Sequence, residues 1–237
     1  MLFDPKKYRV VDLSPEVVAK VTTEDGRVME GKPDPLGVGF SAKQVTQKVP
    51  DYTRYTLMTM LPHVGSHVEM GKGHIDHFPG FEKQTGLWEL PITNFFGEAS
   101  VINLSFLKAR PKQNEDDKSF RGQPIQPEHL ANVKKGDIVL MWSPFPILES
   151  PYLPPKTCEW LKDKGIKGIA FQLPGVMFDD YQVSSTHKIF LTNNITITYP
   201  LTNVDKLKKD RVFYFQLPMK FVNIEASCVR AIAFEEI

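Results

Sequence analysis

A sheet-dominated, mixed α/β fold, built as one domain over residues 1–237, is predicted by three observations. Short runs rich in Val, Ile, Thr, Tyr and Phe recur between clusters of Gly and Pro, which is how strands separated by turns are written. Residues 138–173 read as strand, helix, strand, the pattern of a crossover between parallel strands. With 41% hydrophobic and 24% charged positions, 237 residues can bury a substantial core without a second domain.

Tyr8 to Leu13 is a β-branched run ended by Ser14-Pro15 and predicts a first strand. Residues 22–50 carry Gly or Pro at 26, 31, 33, 35, 37, 39 and 50, which favours hairpins or an extended arm, able to reach another subunit, over helix. Tyr52 to Leu61 predicts a strand that delivers the chain to Pro62, and Ala99 to Phe106 predicts another. Between them Phe78, Phe81, Trp88, Phe95 and Phe96 suit either core or a flat apolar pocket. The charged stretch Lys108 to Gly122 reads as an exposed connection, and Pro127 to Val133 as a short helix.

Ile138 to Trp142 is apolar throughout, as a strand buried on both faces requires. Pro154 to Lys164, closed by Gly165, has the start and stop signals of a helix, and Gly168 to Leu173 follows as a strand. His187 to Leu191 reads as helical and Ile195 to Tyr199 as an alternating strand. Val204 to Lys209 reads as a helical turn, and Val212 to Leu217 and Val229 to Phe234 as closing strands.

A net charge of +1 gives no basic field for nucleic acid, so the expected partner is a small molecule, uncharged or zwitterionic. The start has no signal-peptide pattern and no window supplies the ~20 apolar residues of a membrane span, which predicts a cytoplasmic protein with no membrane partner. Cys158 and Cys228 are expected as reduced, buried thiols; a cysteine nucleophile is neither favoured nor excluded by their surroundings in sequence.

The chemistry concentrates between Pro62 and Pro79, which hold four of the six histidines. His63, His67 and Glu69 offer two imidazoles and a carboxylate, a common ligand set for a first-row metal, and His74, Asp76 and His77 follow. A helix would turn residues 67 and 69 about 160° apart. A straight strand would separate His63 from Glu69 by roughly 20 Å. If all three meet one ion the chain must bend, and Gly65 is the residue able to do it, with Ser66 free to bond the nearby backbone. Spacing alone leaves a metal or catalytic site and a solvated loop both open. Asp76 reads equally as a partner for an imidazole or as a turn residue, and Tyr199 as core.

Taken together these blocks resemble the metal-dependent cyclase and kynurenine formamidase family, which includes isatin hydrolase. Its motif His-x-Gly-Thr-His-x-Asp-x-Pro-x-His is matched by His63-Val-Gly65-Ser66-His67-Val-Glu69-Met-Gly71-Lys-Gly73, with His74 one residue late. Val11-Asp12-Leu13-Ser14, Lys135-Gly136-Asp137-Ile138, Trp160-Leu161 to Gly168-Ile169, Leu201-Thr202-Asn203 and Val229-Arg230-Ala231 are similar to further blocks of the family in the same order. A family histidine followed twelve residues later by Glu, which helps hold a second metal, corresponds to His187 with Tyr199 at the Glu position.

The resemblance implies a fold of the cyclase/kynurenine formamidase type and one divalent ion, Zn²⁺ or Mn²⁺, on His63, His67 and Glu69. It implies hydrolysis of a carbon–nitrogen amide bond, in a linear aryl formamide or a cyclic amide, with His74 or His77 as proton shuttle and His187 orienting the substrate. Family relatives are oligomers, so a homodimer or higher homo-oligomer is expected. The substitutions at Glu69, Gly73 and Tyr199 keep open a second expectation, a non-catalytic relative that binds a small ligand or a protein partner.

Overall fold

Ile138–Trp142 forms the middle of the molecule because a run with no polar side chain can only be accommodated where both faces are covered. A computed structural model describes residues 4–32, 36–47, 53–173 and 184–237. Its main sheet contains β1 (Tyr8–Asp12), β6 (His67–Glu69), β7 (Phe96–Asn103), β8 (Ile138–Trp142), β9 (Gly168–Gln172), β10 (Thr196–Leu201), β11 (Arg211–Phe215), β12 (Ala226–Cys228) and β13 (Ile232–Glu236). The order across it is β1-β13-β11-β7-β8-β9-β10-β6-β12, with β7 to β10 mutually parallel and every other pair antiparallel. This is the sheet-dominated mixed α/β architecture expected from the sequence.

The alternation along β8 divides its side chains between two cores. Val139 and Met141 pack with Ile169 and Phe171 of β9 under two helices, α1 (Pro155–Lys164) and α2 (Ser184–Leu191), which contribute Cys158, Leu161, Phe190 and Leu191. Ile138 and Leu140 face Leu13, Val204, Tyr214 and Ala233 on the other side. Pro155 opens α1, and Gly165, at φ +78°, closes it in the left-handed conformation that glycine adopts without strain. As predicted, residues 138–173 form a parallel strand–helix–strand unit.

A consequence of the strand order is that the sheet curls. Residues β12 and β13 flank a link of only 229–231, which spans at most about 14 Å. In a flat sheet the seven intervening strand spacings would put them roughly 34 Å apart. The two ends therefore approach one another, and backbone bonds Leu13 N–H to Ala231 C=O (2.9 Å) and Val229 N–H to Ser66 C=O (2.8 Å) line the seam. The predicted strand 229–234 is accordingly displaced: 229–231 form the link, and the strand itself, β13, runs from Ile232 to Glu236, after the chain has left the other end of the sheet at Cys228.

Residues 20–59 add a second, four-stranded sheet of β2 (Lys20–Thr22), β3 (Val28–Met29), β4 (Ser41–Gln47) and β5 (Thr53–Thr59), ordered β3-β2-β4-β5. The hairpins expected within 22–50 are these; Pro33, Pro35 and Pro50 of the predicted punctuation, and Tyr52, lie outside the described residues. The strand expected from Ala99 starts earlier, at Phe96, since Gly97 takes φ +143° and still pairs with Tyr214. Arg121 and Gly122, at the end of the expected exposed connection, are buried instead, because Arg121 pairs with Glu149. Cys158 is buried as expected, whereas Cys228 is only half-buried, its thiol near the Pro62 and Val64 carbonyls. Among the described residues no helix is long and apolar enough to cross a membrane.

Candidate metal and active site

The turn after β5 places the first imidazole. Gly65 takes φ +65°, so the chain bends between His63 and His67. A Cβ at Gly65 would meet Val17 Cγ2 at 2.9 Å, so the bend is also too tightly packed for another side chain. Ser66 bonds not to the local backbone but across the sheet, donating to the Pro200 carbonyl at 2.7 Å.

His67 and Glu69 lie two apart on β6 and so share a face. Tyr199 of β10 and Cys228 of β12 sit opposite His67, while Ile197 and Ala226 sit opposite Glu69, and all project to that same side. His74 comes from the turn after β6, where its N–H and that of Ile75 bond the Gly71 carbonyl. His187 comes from α2.

These elements converge on one carboxylate. Glu69 Oε2 has His63 Nδ1 at 3.5 Å, His74 Nε2 at 3.8 Å and His67 Nε2 at 3.9 Å, and accepts from the Tyr199 hydroxyl at 3.4 Å. His187 Nε2 approaches the other oxygen, Oε1, at 2.9 Å. His67 and Glu69 are fully buried, whereas the His63 and His74 side chains keep about a quarter of their surface, so the cluster has a dry floor and an open rim.

Two imidazoles have their tautomers set by neighbours. His67 Nδ1 lies 2.9 Å from the Gly65 carbonyl, which only accepts, so Nδ1 carries the proton and the Nε2 lone pair faces Glu69. His63 Nε2 lies 3.2 Å from Glu225 Oε1, which by the same argument leaves the Nδ1 lone pair facing Glu69. Two lone pairs and a carboxylate aimed at one buried point repel unless a cation lies between them. Separations of 3.5–3.9 Å are long for hydrogen bonds. They match the roughly 3–4 Å between ligands that each sit about 2 Å from a shared ion. The donor atoms of His63, Glu69 and His74 lie within 4.8 Å of one another, so the residues present fit a divalent metal; this compact set has His74 where the sequence expectation had His67, whose Nε2 stands beside it, 3.9 Å from Glu69 Oε2.

The electrostatics follow from burial and this crowding. Burial pushes the Glu69 carboxyl up, but the His187 hydrogen bond and the surrounding imidazoles of His187, His74 and His67 outweigh it and hold the group below the usual range. The His74 imidazole is pushed down by burial, with His187 and His63 adding to this and Glu69 opposing it. Burial and the Glu69 charge push the Tyr199 phenol far up, so it stays a donor.

Of the predicted site residues, His63, His67, Glu69, His74 and His187 are brought together. His77 is exposed, stacks on Phe78 at 4.1 Å between ring centres and makes no hydrogen bond, ion pair or ring contact with the cluster among the described residues. Asp76 serves its turn, accepting from the Gly73 N–H at 2.9 Å. Gly73 takes φ +83°, a conformation that disfavours histidine, and the turn it makes carries His74 into the cluster one position later. Glu225 is the member not foreseen, and Tyr199, which the resemblance set at a metal-holding Glu position but which otherwise read as core, joins the cluster as a donor to Glu69. The alternation of β10 hinted at the face of Tyr199, but nothing near Glu225 in sequence marks a residue 162 positions from its partner.

A curled mixed sheet carrying such a cluster is the setting in which the comparisons with known proteins fall. The Cyclase family model matches residues 11–176, and the chain belongs to that family. It is 28% identical over 184 residues to the kynurenine formamidase of Erythrobacter litoralis, covering 75% of this chain and 76% of that protein. Its fold is similar to a potential metal-dependent hydrolase with cyclase activity (TM-score 0.67, 18% identity, 97% of this chain and 100% of the other). It is also similar to an isatin hydrolase bound to the product analogue thioisatinate (TM-score 0.67, 17% identity, 98% and 94%).

Proposed function

We propose that this protein is a metal-dependent hydrolase of carbon–nitrogen amide bonds, taking a linear aryl formamide or a cyclic amide as substrate. The observation that carries the reading is the ring of three imidazole nitrogens at 3.5–3.9 Å around Glu69 Oε2. The substrate class is supported by the kynurenine formamidase and isatin hydrolase relatives.

His63, His67 and Glu69 would hold the ion, Zn²⁺ or Mn²⁺, a choice that two imidazoles and a carboxylate leave to metal supply. When bound, it supplies Lewis acidity, polarising a carbonyl and bringing the pKa of water to about 7. His187 and Tyr199 hold the two oxygens of Glu69 and fix its orientation. His74 stands on the open rim with Nε2 3.8 Å from Glu69 Oε2, near enough to join the ligands, and in this scheme it stays off the ion with a ring nitrogen open to a proton. That is the property required of the group that takes a proton from the attacking water and returns it to the leaving nitrogen. His77, outside the cluster, has no part in this scheme.

Elemental analysis of untagged protein purified without chelator tests the reading. About one equivalent of Zn or Mn per chain, lost in His67→Ala, together with turnover of N-formyl aryl amines or cyclic amides, is the expected result. An absence of metal even after soaking would turn the assignment to a ligand-binding relative without hydrolysis. Unchanged metal content in His67→Ala would remove that residue from the ligand set.

A further inference from the structure

Glu225 belongs to no strand, yet it meets His63, the backbone next to Glu69 and the turn that carries His74. Its Oε1 lies 3.2 Å from His63 Nε2, and its own carbonyl accepts the Met70 N–H at 3.0 Å, one residue beyond Glu69. A Cβ on Gly73 would stand 3.4 Å from the Glu225 Cβ, so the turn that carries His74 packs against it. Ala226, the next residue, pairs with Glu69 across β12 and β6. The backbone is thereby clamped to the ligand strand while the carboxylate reaches His63 from behind.

We infer that Glu225 is a positioning residue, which holds the proton of His63 on Nε2 and so directs the Nδ1 lone pair towards Glu69. No other hydrogen-bond or ion-pair partner of His63 Nε2 is present among the described residues. An imidazole that can exchange tautomers, or rotate about its Cβ–Cγ bond, presents its lone pair to the site only part of the time. The carboxylate removes that freedom and raises the basicity of the ligating nitrogen. Glu225 acts on the ligand set through His63, and its charge also reaches His74, whose imidazole it pushes up.

The inference rests on the metal reading above for its effect on affinity, but the tautomer can be measured without any metal. In the full-length protein, Glu225→Ala and the isosteric Glu225→Gln would be compared with the natural chain by Zn²⁺ competition against a chromophoric chelator. The ring ¹⁵N shifts of His63 in the metal-free protein would be recorded beside them. Zn²⁺ binding should weaken ~10–100-fold in Glu225→Ala, with partial recovery in Glu225→Gln, whose amide oxygen can still accept from Nε2–H. The ¹⁵N shifts should move from the Nε2-protonated pattern to a mixture in Glu225→Ala, while the thermal midpoint of the metal-free protein stays put. An unchanged His63 tautomer in Glu225→Ala would overturn the inference. If the natural chain takes up no Zn²⁺, the hydrolase reading falls, and the ¹⁵N shifts alone still decide whether Glu225 sets the tautomer.

Discussion

His187 Nε2 lies 2.9 Å from Glu69 Oε1, so a helix and a strand joined by no direct connection meet at a single buried charge. Without that partner Glu69 would keep its burial and lose the hydrogen bond that most strongly opposes it. His187→Ala should therefore reduce metal affinity ~10–100-fold, as expected when the support of a ligand is removed. Chelator competition on the purified variant is the check, and wild-type affinity would mean that Glu69 is held by Tyr199 and its backbone alone.

Gly65 and Gly26 both have positive φ, but only Gly65 has a neighbour where a side chain would go. Gly26→Ala should cost about 1–2 kcal/mol, from backbone strain. Gly65→Ala should cost more and should also release bound metal, because relieving the contact with Val17 moves His63 relative to His67. Urea midpoints and metal content of the two variants decide it; equal losses would show that the bend tolerates a methyl group.

Asp137 is buried and bonded to both Arg211 guanidinium nitrogens at 2.8 and 2.9 Å, and it also accepts from the Lys134 N–H at 2.9 Å. Asp137→Asn would leave a donor facing donors. A loss of about 3 kcal/mol is expected. For a chain of this size that corresponds to a fall in Tm of roughly 6–12 °C. A change below 2 °C would contradict the weight given to this pair.

Burial pushes the Glu235 carboxyl up, but the Lys208 and Lys209 backbone N–H groups and the Arg9 guanidinium outweigh it, so its pKa lies below the unfolded value. A lowered folded pKa gives stability that is present above the unfolded value, near 4.5, and is lost as pH falls through the folded one. Glu235→Gln should be less stable than the natural chain at pH 7, with the gap narrowing steadily below about pH 5. Urea unfolding at pH 7, 5, 4 and 3 measures this; a constant gap across the series would refute it.

What the sequence made legible is what is local. The apolar run 138–142, the Pro and Gly that bound α1, and the alternation of β10 each carry their own signal, and each element stands where it was expected. The bend at Gly65 could be argued because three ligands on one strand cannot otherwise meet. Pairing across the chain was not legible. Tyr199 reads as core until β10 is known to lie beside β6, and Glu225 has no motif around it. The closing strand was expected from Val229 but starts at Ile232, because an apolar run does not reveal that its first three residues cross from one end of a curled sheet to the other.

The short link 229–231 has a consequence for how the molecule comes into being. His63 leaves the ribosome 162 residues before Glu225, so a growing chain carries its histidines long before the carboxylate that orients the first of them. Until β12 arrives, β6 has a bare edge, open to pairing with any passing strand. Residues 225–236 thus act as a latch: they cover that edge, join the far end of the sheet, and complete the surroundings of His63 in one event. A ribosome that stalls before Glu225 would release a chain holding all the clustered histidines and none of the closure.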